Sequence, residues 1–171
     1  MNTTGARVLL VEDDETDRTM VERFIVQGNL PYRLAVAESV NEAIILLEAR
    51  EFDIILTEYQ LKGGSGIEVL RCAGLTPCIV ITRVAARSVV INVMKEGAYD
   101  FVVKDSSWEY VRTLPAVIEE ALERRRLRAQ AGYWRKNAYE ISGQAAQSYP
   151  MSGSSWRMRP SSEPSYSSET I

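Results

Sequence analysis

Histidine is missing from the whole sequence. That excludes imidazole acid–base catalysis, histidine metal ligands and any phosphohistidine intermediate. Cysteine is scarce. Cys72 and Cys78 are the only two, and their spacing suits no metal site. In a chain that reads as intracellular they are expected to stay reduced. No apolar run approaches a membrane span, and the opening MNTTGARVLLVEDD meets acid too soon for a signal peptide. A cytoplasmic location is expected. An excess of either charge is lacking too. Twenty Lys and Arg against 23 Asp and Glu leave −3, with no overall pull toward nucleic acid or an anionic membrane. There is no nucleotide-binding glycine motif and no second catalytic domain, so a stand-alone enzyme is not expected.

What is present is organised around Phe52 to Gly66, FDIILTEYQLKGGSG. Ile54, Ile55 and Leu56 read as a buried strand. Gly63, Gly64 and Gly66 read as a turn and a helix start. Glu58 stands where strand opens into loop. In an open α/β sheet, ligands and chemistry gather at the carboxyl ends of the strands.

The remaining chain, in order, repeats one unit. Strands are expected at Arg7–Val11, Tyr32–Ala37, Asp53–Thr57, Cys78–Thr82 and Tyr99–Val103. Helices follow each. The first carries Val21, Phe24 and Ile25 on one face and stops at Gly28 and Asn29. Ser39-Val40-Asn41-Glu42 and Ser65-Gly66-Ile67-Glu68 read as capping boxes for the second and third. The fourth shows Val89, Val90, Val93 and Met94. Pro115 suits a first helical turn better than an interior, so Trp108–Leu114 reads as a separate turn. Five strand–helix repeats imply a parallel sheet covered on both faces, a doubly wound α/β fold. The domain is expected over residues 6–128, with a helical extension over 129–141. The Ser- and Pro-rich segment 142–171 reads as a disordered, removable tail.

The strand ends bring Glu12, Asp13, Glu58, Thr82 and Lys104 to one edge of the sheet. Glu12-Asp13-Asp14 alone would pass as acidic charge at a helix start. Three carboxylates converging with a hydroxyl and an ammonium imply more. A hard divalent ion, Mg²⁺ or Mn²⁺, would relieve their repulsion. Lys104 and Thr82 would suit the oxygens of a phosphoryl group.

The segments VLLVEDD (8–14), DIILTEYQLKGGSG (53–66), IVIT (79–82) and GAYDFVVKD (97–105) together resemble the receiver domain of two-component response regulators. The resemblance covers about residues 6–128. It implies a flavodoxin-like five-stranded parallel sheet in the order 2-1-3-4-5. It also implies that Glu12 and Asp13 match the metal-holding acidic pair, with the backbone carbonyl of Gln60 as a further ligand. Thr82 matches the switch hydroxyl, Phe101 the switch aromatic, Lys104 the phosphate-contacting lysine, and Glu58 the phosphoacceptor position.

Three positions depart from that pattern. The acceptor is normally Asp, and Glu58 reaches about 1.5 Å further, far enough to misplace an in-line attack. Glu58 would instead put negative charge near where an aspartyl phosphate would lie. Asp105 follows Lys104 where proline is usual. Arg83 follows Thr82 where a small residue is common, and is expected either to bond Glu58 or to block the pocket mouth. Three functions are open on these grounds. The first is a phosphorelay receiver served by a histidine kinase or phosphotransfer protein. Its output would pass to a downstream protein through the fourth helix, fifth strand and fifth helix. The second is a phosphorylation-independent pseudo-receiver. It would be a scaffold, or a homodimer with a helical seam through Ile118, Leu122 and Leu127. The third is nucleic-acid binding through Arg124, Arg125, Arg126 and Arg128. It is the least favoured, because Arg at a helix end is usually solvated.

Overall fold

A computed structural model describes residues 5–147, with side chains to 131. The elements run β1 (Ala6–Val11), α1 (Glu15–Gln27), β2 (Tyr32–Ala37), α2 (Val40–Ala49) and β3 (Ile54–Glu58). A two-stranded hairpin, β4 (Gln60–Leu61) and β5 (Gly64–Ser65), follows. Then come α3 (Gly66–Cys72), β6 (Cys78–Thr82), α4 (Arg87–Lys95), β7 (Asp100–Val103) and α5 (Glu109–Gln147). The main sheet is parallel in the order β2-β1-β3-β6-β7. Setting the hairpin aside, that is 2-1-3-4-5, as the resemblance implies.

Side chains on a strand alternate between faces, and this divides the core. Val8, Leu10, Ile54, Leu56, Ile79 and Ile81 pack under α1 and α5, against Val21, Ile25, Leu114 and Ile118. Leu9, Val11, Ile55, Cys78 and Val80 pack on the other face, against Val40, Ala43, Val69 and Val93. The same alternation carries past the strand ends. Glu12 follows the parity of Val8 and Leu10, Glu58 that of Ile54 and Leu56, and Lys104 that of Val102. Val11 pairs with Thr57, so the register sets Glu12 beside Glu58. All three charged groups therefore leave the sheet on the α1/α5 side.

Several local readings change. Residues 109–114 and Pro115 belong to a single helix, α5. Pro115 has no N–H for the Val111 carbonyl, but burial of Val111, Leu114 and Ile118 against the sheet holds the turn in place. Met94 is exposed on α4, leaving Val93 as that helix's buried residue. Ser39 accepts from the Glu42 amide at 3.2 Å, but the Glu42 carboxylate takes the Glu38 amide, so that box is half made. Ser65 caps α3, and Glu68 returns to the Ser65 amide at 2.9 Å. Ile118 and Leu122 are buried in their own domain's core, which removes them from any helical seam; Leu127 alone remains exposed. α5 continues past Ser142 to Gln147, and the tail reading of residues 148–171 lies outside the described residues. The chain divides into two compact units, Met1–Ala131 and Gly132–Ile171. All the strand-end residues belong to the first.

Candidate functional site: a closed acid–ammonium cluster

The turn after β3 shapes the site's floor. Gly63 takes φ of 76° at the hairpin tip. A Cβ on Gly66 would fall 2.2 Å from the Glu58 carbonyl oxygen, so only glycine lets α3 start this close to β3. The Glu58 carboxylate folds back over its own strand end. Its Oε1 accepts from the Tyr59 amide at 2.7 Å and the Gln60 amide at 3.2 Å. Its Oε2 pairs with Lys104 Nζ at 2.6 Å.

Lys104 is the hub. Its ammonium also donates to Glu12 Oε2 at 2.5 Å and to Asp17 Oδ2 at 2.7 Å. All three of its protons are thereby spent on three carboxylates, and its side chain is 1% exposed. Burial alone would lower the Lys104 pKa, but the Glu12, Asp17 and Glu58 carboxylates overcome it and hold the ammonium's pKa above its ordinary value. Burial pushes the Glu12 carboxyl above the usual range despite Lys104.

Asp17 is a site residue that the sequence reading does not single out. It lies four residues before Val21 and eight before Ile25, on the buried face of α1, and that spacing is the available signal. Arg83 grips it with two bonds of 2.8 Å, Nη1 to Oδ2 and Nη2 to Oδ1. Burial works to raise the Asp17 carboxyl, and Arg83 with Lys104 outweighs it and holds it below the usual range. Arg83 thus reaches Asp17 and not Glu58, which corrects one of the two expectations for it. The bridge ties the loop after β6 to α1.

The other expected site residues stand slightly apart. Asp13 is half-buried and accepts from the Lys62 amide at 3.1 Å, bracing the hairpin. Thr82 is buried and accepts from the Val84 amide at 3.2 Å; its strand parity puts it on the opposite face from Lys104. Phe101 is partly buried against that same face's core. Gln60 is exposed, with its amide on Glu58. Asp105 accepts from the Ser107, Glu109 and Tyr110 amides and the Ser107 hydroxyl, so it caps α5 where a proline was expected. These bonds, the Ser107 hydroxyl first, hold its carboxyl down at about 2.

In this arrangement the acids do not fit a divalent ion. The Lys104 ammonium bridges Glu12 and Glu58, and Asp13 is bonded to the Lys62 amide rather than to either of them. Among the described residues no three or more Asp, Glu, Cys or His are placed to share a metal. The charge closes nearly to balance without one: Glu12, Asp17 and Glu58 against Lys104 and Arg83 leave −1.

The arginine run is structural where it can be followed. Arg125 donates to the Phe52 and Asp53 carbonyls at 3.0 and 2.8 Å, and Arg124 lies over the Tyr99 ring. Both cysteines are free. Cys72 is exposed, and burial pushes the Cys78 thiol up to about 12. Among the described residues no helix is long and apolar enough to cross a membrane.

The sheet order, the acids at its carboxyl edge and the lysine after its last strand define one class of protein. Residues 8–114 match the response regulator receiver domain, and the chain belongs to that family. It is 31% identical over 114 residues to the response regulator protein PilR of Pseudomonas aeruginosa, covering 64% of this chain and 25% of PilR. The chain thus spans about a quarter of that relative. Among solved structures, the signal receiver domain of a putative LuxO repressor protein from Vibrio parahaemolyticus superposes with a TM-score of 0.66 at 24% identity. That match covers 74% of this chain and 97% of the other. The receiver domain of the sensor histidine kinase PA1611 from Pseudomonas aeruginosa, which holds a magnesium ion in its active-site cleft, gives 0.61 at 22%. It covers 70% of this chain and 98% of that one.

Proposed function

We propose that this chain is a two-component receiver module that signals by protein contact, without accepting a phosphoryl group at Glu58. One observation carries the reading. Both Glu58 oxygens are already engaged, Oε1 by two backbone amides and Oε2 by Lys104, and the side chain is 9% exposed. Three of the roughly four lone-pair sites of the carboxylate are so taken, and the extra methylene sets the remaining one off the line of attack. The buried ion pair also places a fixed negative charge at the acceptor position. This carboxylate carries one charge, whereas a phosphoryl group brings close to two, so it reproduces the phosphorylated state only in part.

The module's input is a histidine kinase or phosphotransfer protein, or a partner that reads the fixed state directly. Its output is a downstream protein, or a second copy of the chain, on the face of α4, β7 and α5. What supports that face is that α4 and β7 leave Ile91, Met94 and Val103 exposed. The module is not a stand-alone enzyme.

Mg²⁺ and Mn²⁺ enter this reading as competitors of Lys104 for Glu12 and Glu58. A Mg²⁺ titration followed through the amide resonances of Glu12, Asp13, Glu58 and Gln60 should give weak, millimolar shifts that Lys104→Met strengthens. Tight binding by the unmutated chain, unchanged in the variant, would show that Lys104 does not hold the cation's place.

A further inference from the structure

β6 and β7 begin at the edge of the sheet opposite the one that carries Glu12, Glu58 and Lys104, and there the chain leaves a cavity of about 560 Å³. That size falls within the range of small-molecule sites, about 300–1,000 Å³. α5 contributes Arg124, Arg125 and Arg128, whose spacing sets them on one face of the helix. The loop before β6 contributes Leu75 and Pro77, and the start of β7 contributes Tyr99. Among the described residues no Asp or Glu lines the cavity, so it gathers three positive charges in a chain whose net charge is −3.

The ordinary reasons for such a run do not account for it. α5 continues to Gln147, so these arginines do not sit at the helix's negative end. Like charges three and four residues apart repel. Arg126 lies outside the cavity and pairs with Glu123 at 3.7 Å. Arg124 has an exposed partner, Glu120 at 3.5 Å, and a pair of that kind contributes little. Arg128 forms no ion pair among the described residues. Two of the three guanidiniums are held in place all the same. Arg125 is fixed by the Phe52 and Asp53 carbonyls, and Arg124 lies 5.7 Å from the centre of the Tyr99 ring. Donors positioned in advance bind a ligand at less cost in ordering.

We propose that this cavity binds a small organic anion, a flat ring carrying a phosphate or carboxylate group. The guanidinium forks of Arg124 and Arg128 suit the oxygens of either group. Leu75, 98% exposed, and Pro77 offer the ring an apolar surface that nothing in the chain covers among the described residues. A planar guanidinium also stacks on a flat ring. Because the site lies at the far edge from Glu58, neither phosphoryl transfer nor Mg²⁺ enters it, and it stands independently of the reading of Glu58.

The full chain is titrated separately with adenosine 5′-monophosphate, benzoate and inorganic phosphate, following the amide resonances of Leu75, Gly97 and Tyr99. A ring-bearing anion should give saturable shifts at these amides. Binding of adenosine 5′-monophosphate alone identifies a nucleotide site, binding of benzoate alone an aromatic-acid site, and binding of both a site for ring-bearing anions in general. Arg124→Gln and Arg128→Gln should each weaken the bound anion by about tenfold, the worth of one charge-assisted hydrogen bond. Leu75→Ser should weaken the ring-bearing anion and leave inorganic phosphate unaffected. Arg126→Gln, outside the cavity, should bind as the unmutated chain does. All four substitutions alter exposed side chains, so the fold is kept. Absence of shifts with both ring-bearing anions overturns the proposal. Inorganic phosphate binding as tightly as the ring-bearing anions also overturns it, by removing the ring from the account. So does a loss in Arg126→Gln equal to that in Arg128→Gln, which would mark a diffuse charge effect of the whole run.

Discussion

Replacing Lys104 with Met should remove the one group that three buried carboxylates share. The shape is nearly kept, so the loss is electrostatic. Glu12 and Glu58 would then lie side by side in a dry pocket, with Arg83 left to serve Asp17 alone. Breaking a buried ion pair from one side costs about 3–5 kcal/mol, because the partner charge remains unpaired. For a domain of this size each kcal/mol moves the melting temperature by roughly 3–5 °C, so the variant should melt at least about 10 °C lower at pH 7. The loss should shrink on acidification. Burial already raises the Glu12 carboxyl, and without Lys104 it rises further. An acid whose folded pKa exceeds its unfolded value binds more protons when folded, so stability falls as pH rises from the unfolded pKa through the folded one. The variant should therefore gain stability relative to the unmutated chain between pH 7 and pH 5. Thermal melts by circular dichroism at the two pH values decide it. A loss below about 1 kcal/mol at pH 7, the range of an exposed ion pair, would show that the cluster is solvated and the account of it wrong.

Three further outcomes are expected. Gly66→Ala must push a methyl toward the Glu58 carbonyl, which lies 2.2 Å from the new carbon, and should cost about 1–3 kcal/mol in chemical denaturation as an overpacked contact; a neutral result would mean that α3 shifts freely against β3. Ile118→Ala empties a fully buried position and should cost about 2–5 kcal/mol by the same amount at every protein concentration, whereas a concentration-dependent loss would restore a helical seam. Asp105→Ala removes the cap of α5, and with it a carboxyl held at about 2. The cap's contribution is present above the unfolded pKa of Asp and fades as pH falls through that range, so the variant should melt lower than the unmutated chain at pH 7 and approach it in strong acid; equal melting at pH 7 would dismiss the cap.

The sheet was legible because its strands are short, nearly all apolar and punctuated by glycine, so order and chemistry fell at one edge. The alternation that fills both faces also places Glu12, Glu58 and Lys104 on a common side, and that could have been read from Val8, Leu10, Ile54 and Leu56. What escaped was the contribution of the helices. Asp17 looks like a first-turn acid until α1 is laid on the sheet. Arg83 stands out as unusual in the sequence, but its partner depends on how far α1 leans toward the loop after β6, which no local pattern encodes. Pro115 misled because helix propensity yields to the burial of Val111, Leu114 and Ile118 on either side of it. Asp105 filled the role of a missing proline by another route, since a short acceptor after a strand suits a helix start as well as a fixed φ does.

The most direct test of the central claim is intact mass after acetyl phosphate treatment with Mg²⁺, for the unmutated chain and Glu58→Asp side by side. Shortening the side chain withdraws the carboxylate by about 1.5 Å and takes it off Lys104, which opens the space between positions 12 and 58 to the divalent ion that the closed cluster keeps out. The account predicts that the unmutated chain gains no phosphoryl group and that the Glu58→Asp chain gains one. A phosphoryl group mapped to Glu58 in the unmutated chain would contradict it.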